Sequence, residues 1–170
     1  GAAARKPEAS GGGTGGLRFA PIADGVVLPV NPDAALAEGR TNDTPILTGL
    51  TQDEGSAMNP SYRSSDPAAY RAALTGRFGA FADRFAAAYP PAQAATSGPA
   101  LSCDRGLASM LFWAEGRRKT SQYPVYAYLV THVEPGPDSA TYGAFHSNEI
   151  PYVFDTLDKT PERGFTQRDR

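Results

Sequence analysis

Two short apolar runs, far apart in the sequence, constrain the fold of this chain more than any other feature. The first is PILTGL at residues 45–50 and the second is VYAYLV at residues 125–130. The first is typical of a strand buried in a parallel sheet, and the second is rich in the β-branched and aromatic residues that favour strands. Helical patterns fill most of the sequence between them, so we predict an α/β fold with a mostly parallel sheet flanked by helices. Because two strands make no stable sheet, we expect the other strands in another part of a longer polypeptide.

Three helices are predicted between the two strands. Asp66 is placed to cap the first, and Pro67 suits its first position, where a missing N–H costs no hydrogen bond. The second is predicted from about Phe78 to Tyr89, before two prolines. We interpret residues 93–100 as a loop. The third helix is predicted to open at Ser102 or Asp104 and to bury a stripe formed by Leu107, Met110, Leu111 and Ala114.

The ends of the chain differ in composition from its middle. Residues 1–16 are rich in Gly, Ala and Ser and are predicted to be a flexible linker or loop, with order starting near Leu17. From there to residue 32 the pattern indicates extended pieces around turns, including the strand-like run GVVLPV, with Asp24-Gly25 as a turn signal. Residues 17–170 are predicted to be one section of a larger domain, because both ends resemble cuts or loops inside a longer polypeptide.

Composition excludes several classes of function. The chain has 41% apolar and 20% charged residues, which is typical of a globular protein, and no apolar run reaches the roughly 20 residues of a membrane span. Its net charge is -2 without a long basic stretch, so we expect no nucleic-acid partner. A single Cys103 and two histidines predict neither a disulfide nor a metal site. Both a secreted or periplasmic and a cytoplasmic compartment fit, with a lean towards a secreted bacterial protein, and the Ala- and Arg-rich composition indicates a GC-rich bacterial source.

Two titratable residues follow the predicted strands in turns that contain glycine. Glu54 lies in Asp53-Glu54-Gly55-Ser56, shortly after the first strand, and His146 lies in the loop that follows the second. Catalytic groups in open α/β sheets sit at the carboxyl ends of strands. A carboxylate that bonds one ring nitrogen of a histidine fixes its tautomer and stabilises its charged form, as in the triads of serine hydrolases.

Other residues compete for chemical roles. Asp53 is the nearest alternative to Glu54 as the acid. None of the serines lies in a Gly-x-Ser-x-Gly elbow, so Ser56, Ser102 and Ser147 are interpreted as structural hydroxyls. His132 is interpreted as a surface or loop histidine. Cys103 near a helix start is a candidate for a lowered pKa, although an inert thiol is favoured because no base lies beside it in the sequence. The aromatic residues that flank the histidine, Phe145, Tyr152 and Phe154, are predicted to divide between a substrate pocket and core.

Four segments carry a resemblance to a known family. PILTGLTQDEGSAMNP resembles the acid-bearing segment of the type-B carboxylesterase (cholinesterase-like) family of α/β hydrolases, in which the glutamate of Asp-Glu-Gly is the triad acid. GAFHSNEIPYVF is similar to the family's histidine segment, with a glutamate three residues after the histidine. FAPIADGVVLP resembles the Asp-Gly segment that precedes the acid, and residues 104–130 resemble a late helix and its strand. These matches follow the family's order and cover roughly residues 17–157.

The resemblance implies a function and several site residues. It gives Glu54 the role of triad acid, His146 the role of general base and Glu149 a structural, hydrogen-bonding role. It also implies a carboxylic ester hydrolase that works through an acyl-enzyme on a small-molecule ester and needs no cofactor. The family's nucleophile elbow and oxyanion segment are absent from these residues. We therefore expect a C-terminal portion of an α/β-hydrolase domain, partnered by the polypeptide that carries the serine. The alternative is a non-catalytic adhesion or binding domain of the same family.

Overall fold

The computed structural model describes residues 22–170, so the predicted linker and the expected start of order near Leu17 lie outside the described residues. Two strands, six α-helices and several single 3₁₀ turns make up this part of the chain. The strands are β1 (Ile46–Thr51) and β2 (Val125–Val130). The helices are α1 (Pro32–Ala37), α2 (Pro67–Phe78), α3 (Ala82–Ala88), α4 (Ala94–Arg117), α5 (Ser139–Tyr142) and α6 (Ile150–Val153).

The two predicted strands form one parallel sheet. Ile46 pairs with Val125 at one end and Thr51 with Val130 at the other, so both carboxyl ends lie at the same edge. Helix α4 packs on one face of β1, where Leu50 Cδ1 lies 3.3 Å from the position that a Cβ on Gly106 would occupy. This arrangement agrees with the predicted parallel pairing, and it brings the segments that follow β1 and β2 to one end of the sheet.

The segment before β1 is less extended than predicted. Gly25 has a φ of +79°, and one Asp24 carboxylate oxygen accepts hydrogen bonds from the N–H groups of Val26, Val27 and Leu28. These bonds bend the chain, so the Asp24-Gly25 turn is present but the run GVVLPV is not a strand. Pro32 starts α1, where Asn31 caps the helix through the N–H of Asp33 at 2.8 Å.

Of the predicted boundaries of α2, only the start agrees with the structure. Asp66 Oδ1 accepts the N–H groups of Ala68 and Ala69 at 2.9 and 3.1 Å, as expected of its capping role. The predicted second helix does not begin at Phe78, because Gly79 has a φ of +51° and ends α2 there. A 3₁₀ turn at Gly79–Phe81 follows and leads into α3. The rings of Phe78 and Phe85 nevertheless stack, with centroids 3.7 Å apart, across this break.

Helix α4 starts well before its predicted opening at Ser102 or Asp104, so the predicted loop at 93–100 was wrong. Pro99 lies inside the helix, where it normally costs a hydrogen bond. Burial of Ala94, Pro99 and Leu101, together with the Ser97 hydroxyl donating to the Pro90 carbonyl at 3.0 Å, outweighs that local preference.

The stripe on α4 that was predicted to be buried is only partly covered. Leu111 is 60% exposed, and its neighbours on the stripe are half-buried. They line an open groove of about 610 Å³ between α4 and the start of β2. No described segment fills this groove, and the buried apolar residues of the described chain are few: Leu74, Ala82, Ala94, Leu101, Ala144 and Leu157.

Residues 22–170 contain no helix that is long and apolar enough to cross a membrane. The same residues hold no cluster of three or more histidine, cysteine, aspartate or glutamate side chains that would suit a metal ion.

Candidate active site

The residues that follow β1 form a tight turn, here called the acid turn, at residues 52–56. Its first N–H, from Gln52, still donates to the Val130 carbonyl of β2 at 2.9 Å. The Ser56 N–H then donates to the Asp53 carbonyl at 2.9 Å and closes the turn. Glu54 therefore lies just beyond the carboxyl ends of both strands, which is where catalytic groups are expected in an open α/β sheet.

Residues 143–149, here called the histidine loop, lie against the acid turn. The Asp53 N–H donates to the Ala144 carbonyl at 2.8 Å, and Asp53 and Phe145 form a parallel bridge. Gly143 has a φ of +62° and Ser147 a φ of +73°, so the chain bends sharply on both sides of His146. These bends bring the imidazole to the acid turn.

Glu54 and His146 are hydrogen-bonded to each other. Glu54 Oε2 lies 2.6 Å from His146 Nδ1, while Glu54 Oε1 accepts the Thr51 N–H at 2.7 Å. The bond to Thr51 folds the carboxylate back over the end of β1 and limits its rotation. His146 Nε2 has no hydrogen bond to any residue that the structure describes, and the side chain of His146 is 57% exposed. A ring bonded this way through Nδ1–H has Nε2 as its proton acceptor.

The charge state of Glu54 follows from these contacts. Partial burial by itself would raise the pKa of Glu54, but the Thr51 N–H and the His146 ring outweigh that effect and lower it. Glu54 is therefore ionised at neutral pH, as a carboxylate that stabilises a charged imidazole must be.

Gly55 has a packing reason to be glycine. The ring of Tyr62 lies 3.0 Å from the position that a Cβ on Gly55 would occupy, so any side chain there would push the ring away. Burial and the nearby charge of Asp53 raise the pKa of Tyr62 to about 12, so its phenol stays neutral. Tyr62 thus supports the acid turn as a packing residue.

Asp53, the alternative acid, has different partners from Glu54. Its side chain is buried, and its Oδ1 accepts a 2.7 Å bond from Arg63 Nη2. Its Oδ2 accepts the Ala144 N–H at 3.1 Å. No hydrogen bond joins Asp53 to His146 among the described residues. The geometry therefore favours Glu54 over Asp53 as the partner of the histidine.

None of the three serines is bonded to His146 in the described chain, and only Ser56 has a hydrogen bond of its side chain there. Ser56 is buried and donates to the Tyr142 carbonyl at 2.5 Å. Ser147 adjoins the histidine at a positive φ, and Ser102 is exposed on α4.

The remaining candidates have separate environments. His132 is about half exposed and bonds Asp169 Oδ1 through Nε2 at 3.0 Å, in keeping with a loop histidine. Cys103 is interior to α4 rather than at a helix start, so no helix terminus acts on it. Burial first, and then the nearby Asp104 and Asp53 charges, raise the pKa of its thiol. Glu149 is half-buried at the N-terminal end of α6, and its Oε2 has no partner in the described chain.

Two of the aromatic residues around the histidine pack against other rings, and the third is exposed. Phe145 is half-buried, with its ring centroid 5.9 Å from that of Tyr142 and the Arg163 guanidinium 5.8 Å from its centroid. Tyr152 packs edge-on against His132 at 5.2 Å. Phe154 is 70% exposed.

Sequence reasoning missed two residues of this site. Asn148 is fully buried in the histidine loop, and its Nδ2 donates to the His132 carbonyl at 2.8 Å. Arg63 forms an ion pair with Asp53, which lies ten residues earlier in the sequence. A lone arginine in a polar loop carries no local signal for such a partner, whereas an asparagine two residues after a candidate histidine was available as a hint.

The chain is similar to known proteins over most of its length, although no family model matches the chain. Fumonisin B1 esterase of Sphingopyxis macrogoltabida is 33% identical over 144 residues, which are 81% of this chain and 25% of that protein. Para-nitrobenzyl esterase of Bacillus subtilis strain 168 is 31% identical over 149 residues, or 84% and 28% of the two chains. Acetylcholinesterase of Electrophorus electricus is 53% identical over 38 residues, 22% of this chain and 6% of the enzyme.

These relatives agree in the activity that they are named for and in the part of their sequence that matches this chain. All three are esterases by name, and the matches fall in the C-terminal part of those proteins. The chain spans about a quarter of the length of the first two curated relatives. With the resemblance of its acid and histidine segments, this similarity identifies the chain as a member of the type-B carboxylesterase, or cholinesterase-like, family.

Proposed function

We propose that this chain supplies the acid and the base of a Ser-His-Glu triad in a carboxylic ester hydrolase. The observation that carries the proposal is the 2.6 Å bond between Glu54 Oε2 and His146 Nδ1 at the carboxyl ends of two parallel strands. The proposed fold is the C-terminal part of an α/β hydrolase, and the proposed substrate is a small-molecule carboxylic ester such as those named for two of its relatives.

The proposed reaction assigns each residue one role. His146 Nε2 takes the proton of a serine hydroxyl as the serine oxygen attacks the ester carbonyl, and the Glu54 carboxylate stabilises the imidazolium that forms. The imidazolium then gives its proton to the departing alcohol, which leaves an acyl-serine. Water attacks the acyl-serine with His146 again as the base, and the carboxylic acid and the serine are released. The reaction needs no cofactor.

The serine is proposed to come from the rest of the hydrolase polypeptide. An uncovered apolar surface supports a large partner of this kind. Leu47, Tyr126 and Tyr128 lie on the sheet face away from α4 and are 72%, 59% and 41% exposed. On the other face, the groove beside α4 is lined mainly by apolar side chains. Such contiguous apolar surfaces mark contact with further protein.

The two histidines of the chain provide a matched test in the complete polypeptide that contains it. We expect His146→Gln to lower kcat for p-nitrophenyl acetate by about 10⁴–10⁶-fold, because no other group removes the serine proton. We expect His132→Gln to keep kcat within about threefold, because the His132 side chain is about half exposed and bonds Asp169 rather than Glu54 or His146.

Near-normal turnover by His146→Gln would contradict the proposal. A complete wild-type polypeptide that binds a partner but hydrolyses no ester would favour the alternative, a non-catalytic binding domain of the same family.

A further inference from the structure

Asp53 joins the acid turn to the histidine loop through both its backbone and its side chain. Its backbone N–H donates to the Ala144 carbonyl at 2.8 Å, and its carboxylate Oδ2 accepts the Ala144 N–H at 3.1 Å. One residue of the acid turn therefore bonds both polar groups of one peptide position in the histidine loop. That position lies only two residues before His146.

Arg63 fixes the orientation of the Asp53 carboxylate. Arg63 Nη2 donates to Oδ1 at 2.7 Å, which leaves Oδ2 turned towards the histidine loop. The Asp53 side chain is 6% exposed, whereas that of Arg63 is 37% exposed. The buried carboxylate thus depends on the arginine for a charged partner, but the arginine retains contact with water if the carboxylate is removed.

Gly143 makes the close approach possible. A Cβ at this position would overlap the Asp53 carboxylate and crowd Arg63 Nη2, and the φ of +62° also disfavours any side chain there. The absence of a side chain at Gly143 and the ion pair between Asp53 and Arg63 are two features of one contact between the acid turn and the histidine loop.

We propose that Asp53, oriented by Arg63, is the positioning residue that sets the distance and angle between Glu54 and His146. The inference rests on the proposed function, because it assumes that the Glu54–His146 pair performs the chemistry. Asp53 itself forms no hydrogen bond with His146 in the described chain. It acts by holding Ala144, so that the imidazole two residues later meets the carboxylate of the next residue in the acid turn.

The contacts predict an order of effects in the complete polypeptide. Asp53→Ala removes both carboxylate bonds and is expected to lower kcat by about 10–100-fold, the loss typical of a catalytic group displaced by about 1 Å. Asp53→Asn keeps one oxygen to accept the Ala144 N–H and is expected to lose less. Arg63→Ala leaves Oδ2 in place and is expected to lose least, and Arg63→Lys, which keeps the charge, should recover part of that loss. KM should stay within about twofold throughout, since the substrate is not contacted.

Two readouts separate positioning from simple loss of folded protein. The first is kcat per active site, counted by labelling with a fluorophosphonate that reacts with the serine. The second is the downfield proton NMR signal of the His146 Nδ1–H bonded to Glu54, which is expected to shift or vanish in Asp53→Ala without any need for turnover. Asp83→Ala is the matched control, because Asp83 forms an exposed ion pair with Arg71 between α2 and α3 and lies outside the acid turn and the histidine loop. It should leave both readouts unchanged.

The outcomes distinguish the two proposals. If Glu54→Gln loses kcat per active site while Asp53→Ala and Asp53→Asn keep both readouts, the positioning role is wrong and the proposed function stands. If Glu54→Gln and His146→Gln keep turnover, the proposed function fails, and the positioning role in catalysis fails with it. If Asp53→Ala yields no folded protein, Asp53→Asn and Arg63→Ala decide, and unchanged readouts in both overturn the inference.

Discussion

Asp53 and Glu54 are adjacent carboxylates with different environments, because each accepts hydrogen bonds from different partners. The side chain of Asp53 is buried against Arg63 and the Ala144 N–H. Glu54 is partly exposed, and its two oxygens bond the Thr51 N–H and the His146 ring. Residue type alone left both as candidates for the acid. The resemblance favoured the second position, and the hydrogen bonds favour it independently.

Glu54→Gln tests the acid in the complete polypeptide. The amide carries no charge to stabilise the imidazolium, and its NH₂ group favours the wrong tautomer of His146. The corresponding change in a serine protease triad lowers kcat about 10⁴-fold, so we expect a loss of about 10²–10⁴-fold in kcat for p-nitrophenyl acetate with little change in the unfolding midpoint. A variant that keeps most of the wild-type turnover would transfer the acid role elsewhere, first to Asp53.

The chemistry-bearing residues could be found from sequence because each lies in a short local pattern. Glu54 follows an apolar strand in Asp-Glu-Gly, and His146 lies in a segment that the family resemblance covers. Arg63 lies in no such pattern, and the hint to Asn148 was its position two residues after the candidate histidine. Their contacts depend on how the loops fold back on the strand ends, and no periodicity records that.

At the scale of elements, both strands were predicted within one residue, whereas the helix boundaries were less accurate. Each strand is a continuous run of apolar and β-forming residues with definite ends. The ends of α2 and α4 depend on a positive φ at Gly79 and on burial of Ala94 and Leu101, which override the local signals of the surrounding alanines and prolines. The same burial explains why residues 93–100 are helix rather than loop.

Gly49 tests the packing of β1 against β2. A Cβ at this position would overlap the ring of Tyr128, its partner in the parallel register. We expect Gly49→Ala to lower the free energy of unfolding by about 1–3 kcal/mol, the usual cost of overpacking. Urea denaturation of the complete polypeptide, wild type beside variant, measures this difference in the free energy of unfolding.

Two further variants make this test specific. Gly49→Ala combined with Tyr128→Ala should lose less than the sum of the single changes, because the overlap is gone. Gly76→Ala, in the interior of α2 with open space at its Cβ position, should be neutral or stabilising by about 0.5–1 kcal/mol. Equal losses at both glycines would mean that the Tyr128 contact is not the cause.

At the scale of the whole molecule, the described chain exposes large apolar side chains on faces that no described segment covers. Leu47 and Tyr126 are more than half exposed on the sheet, and Leu111 and Phe112 are 60% and 75% exposed on α4. The sequence predicted that further strands lie elsewhere, but it could not show which faces they cover. The exposed side chains lie on the face opposite α4 and in the groove beside it, and we propose that the further strands cover these two faces.

These uncovered faces lead to a prediction for the 170 residues expressed alone. We expect no esterase turnover above buffer, because no serine of the described residues is bonded to His146, and the unpaired strand edges and apolar faces should promote aggregation. The measurement is a p-nitrophenyl acetate assay of the purified chain beside its His146→Ala variant, with light scattering to follow association. Free imidazole groups hydrolyse this ester slowly, so sustained turnover rather than a single burst is compared. Turnover that persists in the wild-type chain and disappears in His146→Ala would place a nucleophile within these residues, and the structural roles of Ser56, Ser102 and Ser147 would then be wrong.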